Sequence, residues 1–173
     1  MKSARRLFLT GSLASLAGCG FQPVYMPTAS NKPGVAQRGL ASVYVANIPD
    51  RPGQLMRQAL QERLGDDDGT QAVYELVVGF SVGGEGIAIQ QTSLVTRLRL
   101  TGTANWTLRL RDGTNAVLTS GSARAIDGVN VFDTQFFAAD QEVEAKQKSL
   151  AQTLATHIAT QVAIWFRQHP ERA

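Results

Sequence analysis

An α+β fold, with two helices packed on one face of a four-stranded mixed sheet, is what this 173-residue sequence predicts. Three observations carry that expectation. One long segment alternates at period two, so it reads as a half-buried strand. Two other segments space their apolar residues at the helical period. Turn residues separate these pieces into the order strand-helix-strand-strand-strand-helix. Each helix has an apolar stripe to cover and the sheet has one apolar face, and stacking the helices on that face buries all three surfaces.

Taken in order, Ser42 to Ile48 is a β-branched and aromatic run that stops at Pro49, which predicts the first strand. Asp50-Arg51-Pro52-Gly53 follows, with a proline suited to a helical first turn. Leu55, Ala59, Leu60 and Leu64 then recur at helical spacing, and Gly65 stops the helix. Asp66-Asp67-Asp68-Gly69 reads as a solvated turn, because it lacks the alternate ligand spacing of a calcium loop. Val73 to Val82 predicts the second strand, and Gly83-Gly84-Glu85-Gly86 a flexible turn that ends it.

The third strand is the longest. Leu94, Thr96, Leu98, Leu100, Gly102, Ala104, Trp106, Leu108 and Leu110 fall on one side. Val95, Arg97, Arg99, Thr101, Thr103, Asn105, Thr107, Arg109 and Arg111 fall on the other. The phase survives Gly102, which favours one strand and leaves a hairpin at Gly102 as the alternative. Asp112-Gly113 is a hairpin turn, and Ala116 to Ile126 returns as the fourth strand. From Asp140 to Arg167, Val143, Leu150, Leu154, Ile158, Val162 and Trp165 recur near the helical period, and His169-Pro170 ends that helix.

The N-terminus points to a compartment. Lys2, Arg5 and Arg6 precede a short apolar run, Leu7 to Leu16, which is about half the roughly 20 residues a transmembrane helix needs. Leu16-Ala17-Gly18-Cys19 resembles the lipobox of bacterial lipoproteins, in which the cysteine is acylated, with palmitate among the chains, and the preceding signal is removed. Cys19 is the single cysteine, so no internal disulfide competes for it. Arg5-Arg6-Leu7-Phe8-Leu9 resembles a twin-arginine signal, so both that route and the general secretory route stay open. The expected organisation is a signal at 1–18, a lipidated N-terminus and tether at 19–40, and one α+β domain at 41–173. Loss of Lys2, Arg5 and Arg6 turns 17 basic against 14 acidic residues into 14 against 14. The mature chain therefore has no global basic field for nucleic acid.

Cys19-Gly20-Phe21-Gln22-Pro23-Val24-Tyr25, the element order, the long alternating strand preceded by Gln91-Thr92, and the segment around Val131-Phe132-Asp133 together resemble the lipopolysaccharide-assembly lipoproteins, the LptE or RlpB family, in its alphaproteobacterial form. The resemblance covers essentially the whole chain. It implies an outer-membrane lipoprotein on the periplasmic side, lodged inside the large lipopolysaccharide-transport β-barrel LptD, assisting its assembly and touching lipopolysaccharide in transit. It also implies no enzymatic activity and no cofactor. One departure stands out. In well-studied members, basic residues proposed to contact lipopolysaccharide lie before the long strand and before the terminal helix. Here Gly86 to Gln90 and Phe136 to Gln141 hold neither lysine nor arginine.

Catalytic residue sets are scarce. The two histidines are His157, within the last helix, and His169, beyond it. No nucleophile-elbow motif surrounds a serine, and no Cys/His pairs have metal-ligand spacing. Arg97, Arg99, Arg109 and Arg111 are the candidate contacts to lipopolysaccharide or to the barrel. Alternation puts them on one sheet face, and the guanidinium fork suits phosphate and carboxylate groups. A solvated face guarded by charge is the other reading of the same four residues. Phe132, Phe136 and Phe137 either fill the gap beside the terminal helix or form an exposed patch. The competing function is an auxiliary lipoprotein of another envelope lipid-transport system of ABC type.

Overall fold

The computed structural model of the chain describes residues 33–65, 72–89, 95–130 and 136–173. In chain order the elements are α1 (Val35–Ala41), β1 (Val43–Val45), α2 (Asp50–Leu64), β2 (Tyr74–Ile89), β3 (Val95–Leu110), β4 (Val117–Asn130), α3 (Phe136–Gln168) and a 3-10 turn (Pro170–Arg172). The strands form one sheet in the order β1-β2-β3-β4, with β1 parallel to β2 and the remaining neighbours antiparallel. The α+β class and the mixed four-stranded sheet are as the sequence predicts, with α1 as an added helix.

The alternation of β3 sets the layers. Leu100, Ala104, Trp106 and Leu108 are buried on its inner side, while Thr101, Thr103, Asn105 and Thr107 face outward. No hairpin forms at Gly102. The strand runs straight through it, and a Cβ there would sit 3.0 Å from Leu154 Cδ1, so the missing side chain is what lets α3 approach the sheet. Tyr74, Leu76 and Val78 of β2 and Ala123 and Val129 of β4 complete the inner face. Against it α3 lays Leu150, Leu154, Ile158, Val162 and Phe166, with Ala151, Ala155, Ala159 and Ala163 buried between them. Small residues four apart make a shallow row, so the helix can sit close to its neighbours. Burying a Leu, Ile or Phe side chain contributes about 1.5–3 kcal/mol each, so this stripe holds the two layers together.

Polar contacts fix the helices in place. Arg63 Nε donates to Thr156 Oγ1 at 2.7 Å, and Arg51 pairs with Glu144 at 2.7 Å, both joining α2 to α3. Lys146 of α3 pairs with Asp127 of β4 at 3.2 Å. Trp106 Nε1 donates to Gln161 Oε1 at 2.8 Å, and its indole lies over Gly121, where a Cβ would stand 2.8 Å from the ring.

Several elements depart from expectation. The tether expected at 19–40 ends in α1, whose Ala36, Gly39 and Leu40 are buried. Gly39 makes that packing possible, since a Cβ there would stand 2.4–2.7 Å from ring atoms of Phe166. Gly83 to Gly86 do not break β2. Each keeps its place in the ladder opposite Thr101, Leu100, Arg99 and Leu98, because pairing needs only backbone groups, and the irregularity comes later, between Gly86 and Ile89. β1 is three residues long, shorter than the run from Ser42 to Ile48. β4 continues four residues past Ile126, and α3 begins at Phe136. The C-terminal residues are fastened down, with Tyr74 Oη donating to Arg172 O at 2.6 Å and His169 stacked on Trp165 at 4.6 Å. Cys19, Asp66 to Asp68, Gln91-Thr92 and Phe132 lie outside the described residues.

Candidate lipopolysaccharide and barrel contact face

The helices lie on one side, so among the described residues nothing covers the outer face of the sheet. Across it β2 presents Glu75, Val77, Gly79, Ser81, Gly83 and Glu85. β3 presents Arg97, Arg99, Thr101, Thr103, Asn105, Thr107 and Arg109, and β4 presents Ser120, Ser122, Arg124 and Ile126. On β2 and β3 its middle is small and largely hydroxylated, with Arg124 and Ile126 of β4 beside it, and the remaining charge gathers at the ends.

All four candidate arginines are on this face, at two places. Arg97 and Arg99 sit at one end of β3, Arg109 and Arg111 at the other. Ten residues of extended strand separate Arg99 from Arg109, roughly 34 Å. The four therefore make two pairs, and one head group cannot bridge both.

Each pair has its own surroundings. Arg99 Nη1 approaches Glu85 Oε2 at 3.9 Å, with both side chains substantially exposed. Arg97 extends over Gly128, where its guanidinium would be 3.7 Å from a Cβ. At the far end the Arg111 guanidinium lies 4.6 Å over the ring of Tyr44, a cation-π contact. Arg109 stands opposite Glu75 in the ladder, and its Nε is buried without a hydrogen-bond partner among the described residues. A desolvated donor lacking a partner makes the complementary acceptor more valuable there than at a fully wet site.

Sequence reasoning missed Arg124. It is exposed in the middle of β4, opposite Thr103, and adds a fifth arginine against Glu75 and Glu85. The run from Ala116 to Ile126 alternates too weakly to assign faces, and only its register with β3 shows where Arg124 points. The two histidines stand apart from this face: His157 is exposed on α3, and His169 Nδ1 lies 2.9 Å from Trp165 O. Among the described residues no group of three His, Cys, Asp or Glu side chains is placed to hold a metal ion.

The family model for LptE, described as lipopolysaccharide-assembly, matches residues 40–162. The chain belongs to the LptE family. LptE members are envelope lipoproteins of lipopolysaccharide assembly, a family with a non-enzymatic role. Solved structures agree in fold. A Caulobacter crescentus protein matches at TM-score 0.65 and 23% identity, covering 78% of this chain and 98% of that one. A minor lipoprotein from Acinetobacter baumannii matches at TM-score 0.56 and 14% identity, covering 72% and 92%. The rare lipoprotein B from Shewanella oneidensis matches at 0.52 and 17%, covering 70% and 92%. Comparison with curated proteins finds no match. Among the described residues no helix is long and apolar enough to cross a membrane.

Proposed function

We propose that this LptE-family chain is an outer-membrane lipoprotein, anchored through acylated Cys19, that plugs the lipopolysaccharide-transport barrel LptD, helps it assemble, and contacts lipopolysaccharide on its way to the cell surface. The observation that supports this proposal is the outer sheet face, uncovered among the described residues, mostly small and polar and bearing arginines at both ends and at Arg124 in its middle, on a chain of this family. The lumen of a large β-barrel is polar, and a surface of small hydroxylated residues and arginines can find hydrogen-bonding partners against such a wall. The guanidinium groups suit the phosphate and carboxylate groups of lipopolysaccharide.

Lipopolysaccharide binding by paired variants tests the contact. Arg97→Ala with Arg99→Ala, and separately Arg109→Ala with Arg111→Ala, are compared at low and moderate salt. A charge-assisted hydrogen bond contributes about 1.5–3 kcal/mol when well made and an exposed ion pair under about 1 kcal/mol. The Arg109–Arg111 end, where one donor is already desolvated, is therefore expected to show the larger loss, roughly tenfold, which one lost bond of that size would give. The Arg97–Arg99 end should show the steeper salt dependence. Unchanged affinity in both variants, with folding intact, would leave the face a solvated surface.

A further inference from the structure

The outer face changes character where β1 joins the sheet. Tyr44, Glu75, Arg109 and Val117 stand in one row across all four strands. Arg111 N donates to Val73 O, so Val73 and Arg111 make the next row outward. Two of the exposed large apolar side chains among the described residues are here, Val117 at 64% and Val73 at 53%. They flank the β3 arginines from either side, on strands about 10 Å apart. The Arg111 guanidinium rests on the Tyr44 ring, and Arg109 Nε is buried without a hydrogen-bond partner among the described residues. Of the nearby acids, Asp112 turns back to accept from Thr114 N and Oγ1, which leaves Glu75 beside Arg109.

The chain enters the fold at this same end. α1 stops just before Ser42, whose carbonyl accepts from Val73 N at 3.0 Å and Tyr74 N at 3.1 Å. Pro33, the first described residue, is nine positions before Ser42 (42 − 33), most of them helical, so it lies within about 20 Å of Val73. Cys19 is fourteen positions before Pro33 (33 − 19), at most about 50 Å of extended chain. Ile87, near the other end of β2, is fourteen positions beyond Val73 (87 − 73), roughly 45 Å along the strand. An anchor on Cys19 therefore draws the Val73 end of the sheet to the membrane and leaves the Ile87 end away from it.

We propose that this end of the sheet lies on the phospholipid head groups of the leaflet that holds the anchor, with Tyr44, Val73 and Val117 entering the interface and Arg109 and Arg111 reaching lipid phosphates. The proposal rests on the acylated-Cys19 reading above and gives the Arg109–Arg111 end a second lipid. Lipid phosphate is the shared chemistry, and bilayer phospholipid is the source. Each residue type suits that place. Valine side chains leave water for the acyl boundary, an arginine buries its stem and keeps its head at phosphate level, and a tyrosine ring sits between the two. Phosphate oxygens supply acceptors that Arg109 lacks. The patch is small and Glu75 offsets part of its charge, so free in solution it would bind weakly. The anchor makes the contact intramolecular, at an effective concentration on the order of millimolar for a short link, and a weak patch then suffices. Neither a passing lipopolysaccharide nor a separate protein has that advantage.

The test couples the processed chain through its Cys19 thiol to a maleimide lipid in vesicles of phosphatidylethanolamine and phosphatidylglycerol, free of lipopolysaccharide. A photo-crosslinking residue replaces either Val117 or Ile87, which is itself 41% exposed. The probe at Val117 should form phospholipid adducts and the probe at Ile87 should form few. Val73→Asp with Arg111→Ala, checked for folding by circular dichroism, should lower the Val117 yield several-fold. In intact envelopes the Val117 probe should again take phospholipid. The proposal is overturned by equal yields at Val117 and Ile87, by a folded double variant with an unchanged yield, by adducts that require lipopolysaccharide in the vesicles, or by envelope adducts to protein alone. Acylation is read separately, from the mass of the N-terminal peptide of the native protein. A native chain without acyl groups overturns the anchor reading and the proposal with it, in a measurement that the vesicle results do not share.

Discussion

Tyr74 shows how much one side chain does in this fold. Its ring meets Phe166 edge-on at 5.3 Å, and its hydroxyl donates to Arg172 O, tying the start of β2 to the C-terminal turn. Burial pushes its pKa above the ordinary 10.0, with nearby Arg172 opposing that shift. The sign for stability follows. Below the ordinary value both states keep the proton and the contribution is complete. As pH rises through the folded value the unfolded chain has already ionised, and the contribution is lost. Tyr74→Phe removes the hydrogen bond and should cost about 1 kcal/mol at neutral pH. It should also flatten the alkaline fall in melting temperature, which a thermal series from neutral to strongly alkaline pH would show. An unchanged alkaline slope would mean that another group sets it.

At the scale of elements, the same region explains why α1 was hidden and how it is held. Gly39 lies against the Phe166 ring, which is itself fixed between Tyr74 and Trp165. Gly39→Ala would drive a methyl group into that ring. Overpacking of this kind costs about 1–3 kcal/mol. The variant should melt lower and lose amide protection first in residues 35–41, as hydrogen exchange would report. Gly34 and Gly39 fall within the expected tether, because nothing local in a sequence distinguishes a glycine needed for close packing from one needed for a turn. β2 runs longer than predicted for the same reason: Gly83 to Gly86 resemble a break in sequence, yet they pair with Thr101 to Leu98. Strong local periodicity was legible. The alternation of β3 assigned every arginine on it to the correct face, and the spacing from Leu55 to Leu64 with Gly65 behind it located α2, whose Gly65 takes the left-handed conformation at φ 77°. The contact face was only half legible. Arg97, Arg99, Arg109 and Arg111 could be read from one strand, whereas Arg124, Tyr44, Glu75 and Glu85 join them through pairing registers, which are non-local.

At the scale of the whole molecule, asymmetry is the governing feature. Among the described residues, helices cover one face of the sheet and nothing covers the other, which carries five arginines against two glutamates on a mature chain expected to be neutral. A large partner with a polar inner wall and an anionic lipid passing through it would meet both properties at once. The most direct test is affinity purification of the processed lipoprotein from detergent-solubilised envelopes, with the co-purifying proteins identified and weighed. A very large outer-membrane β-barrel in near-equal amount is the predicted result. Recovery of an ABC-type permease or its substrate-binding component in place of any barrel would contradict it and place the chain with a different envelope lipid-transport machine.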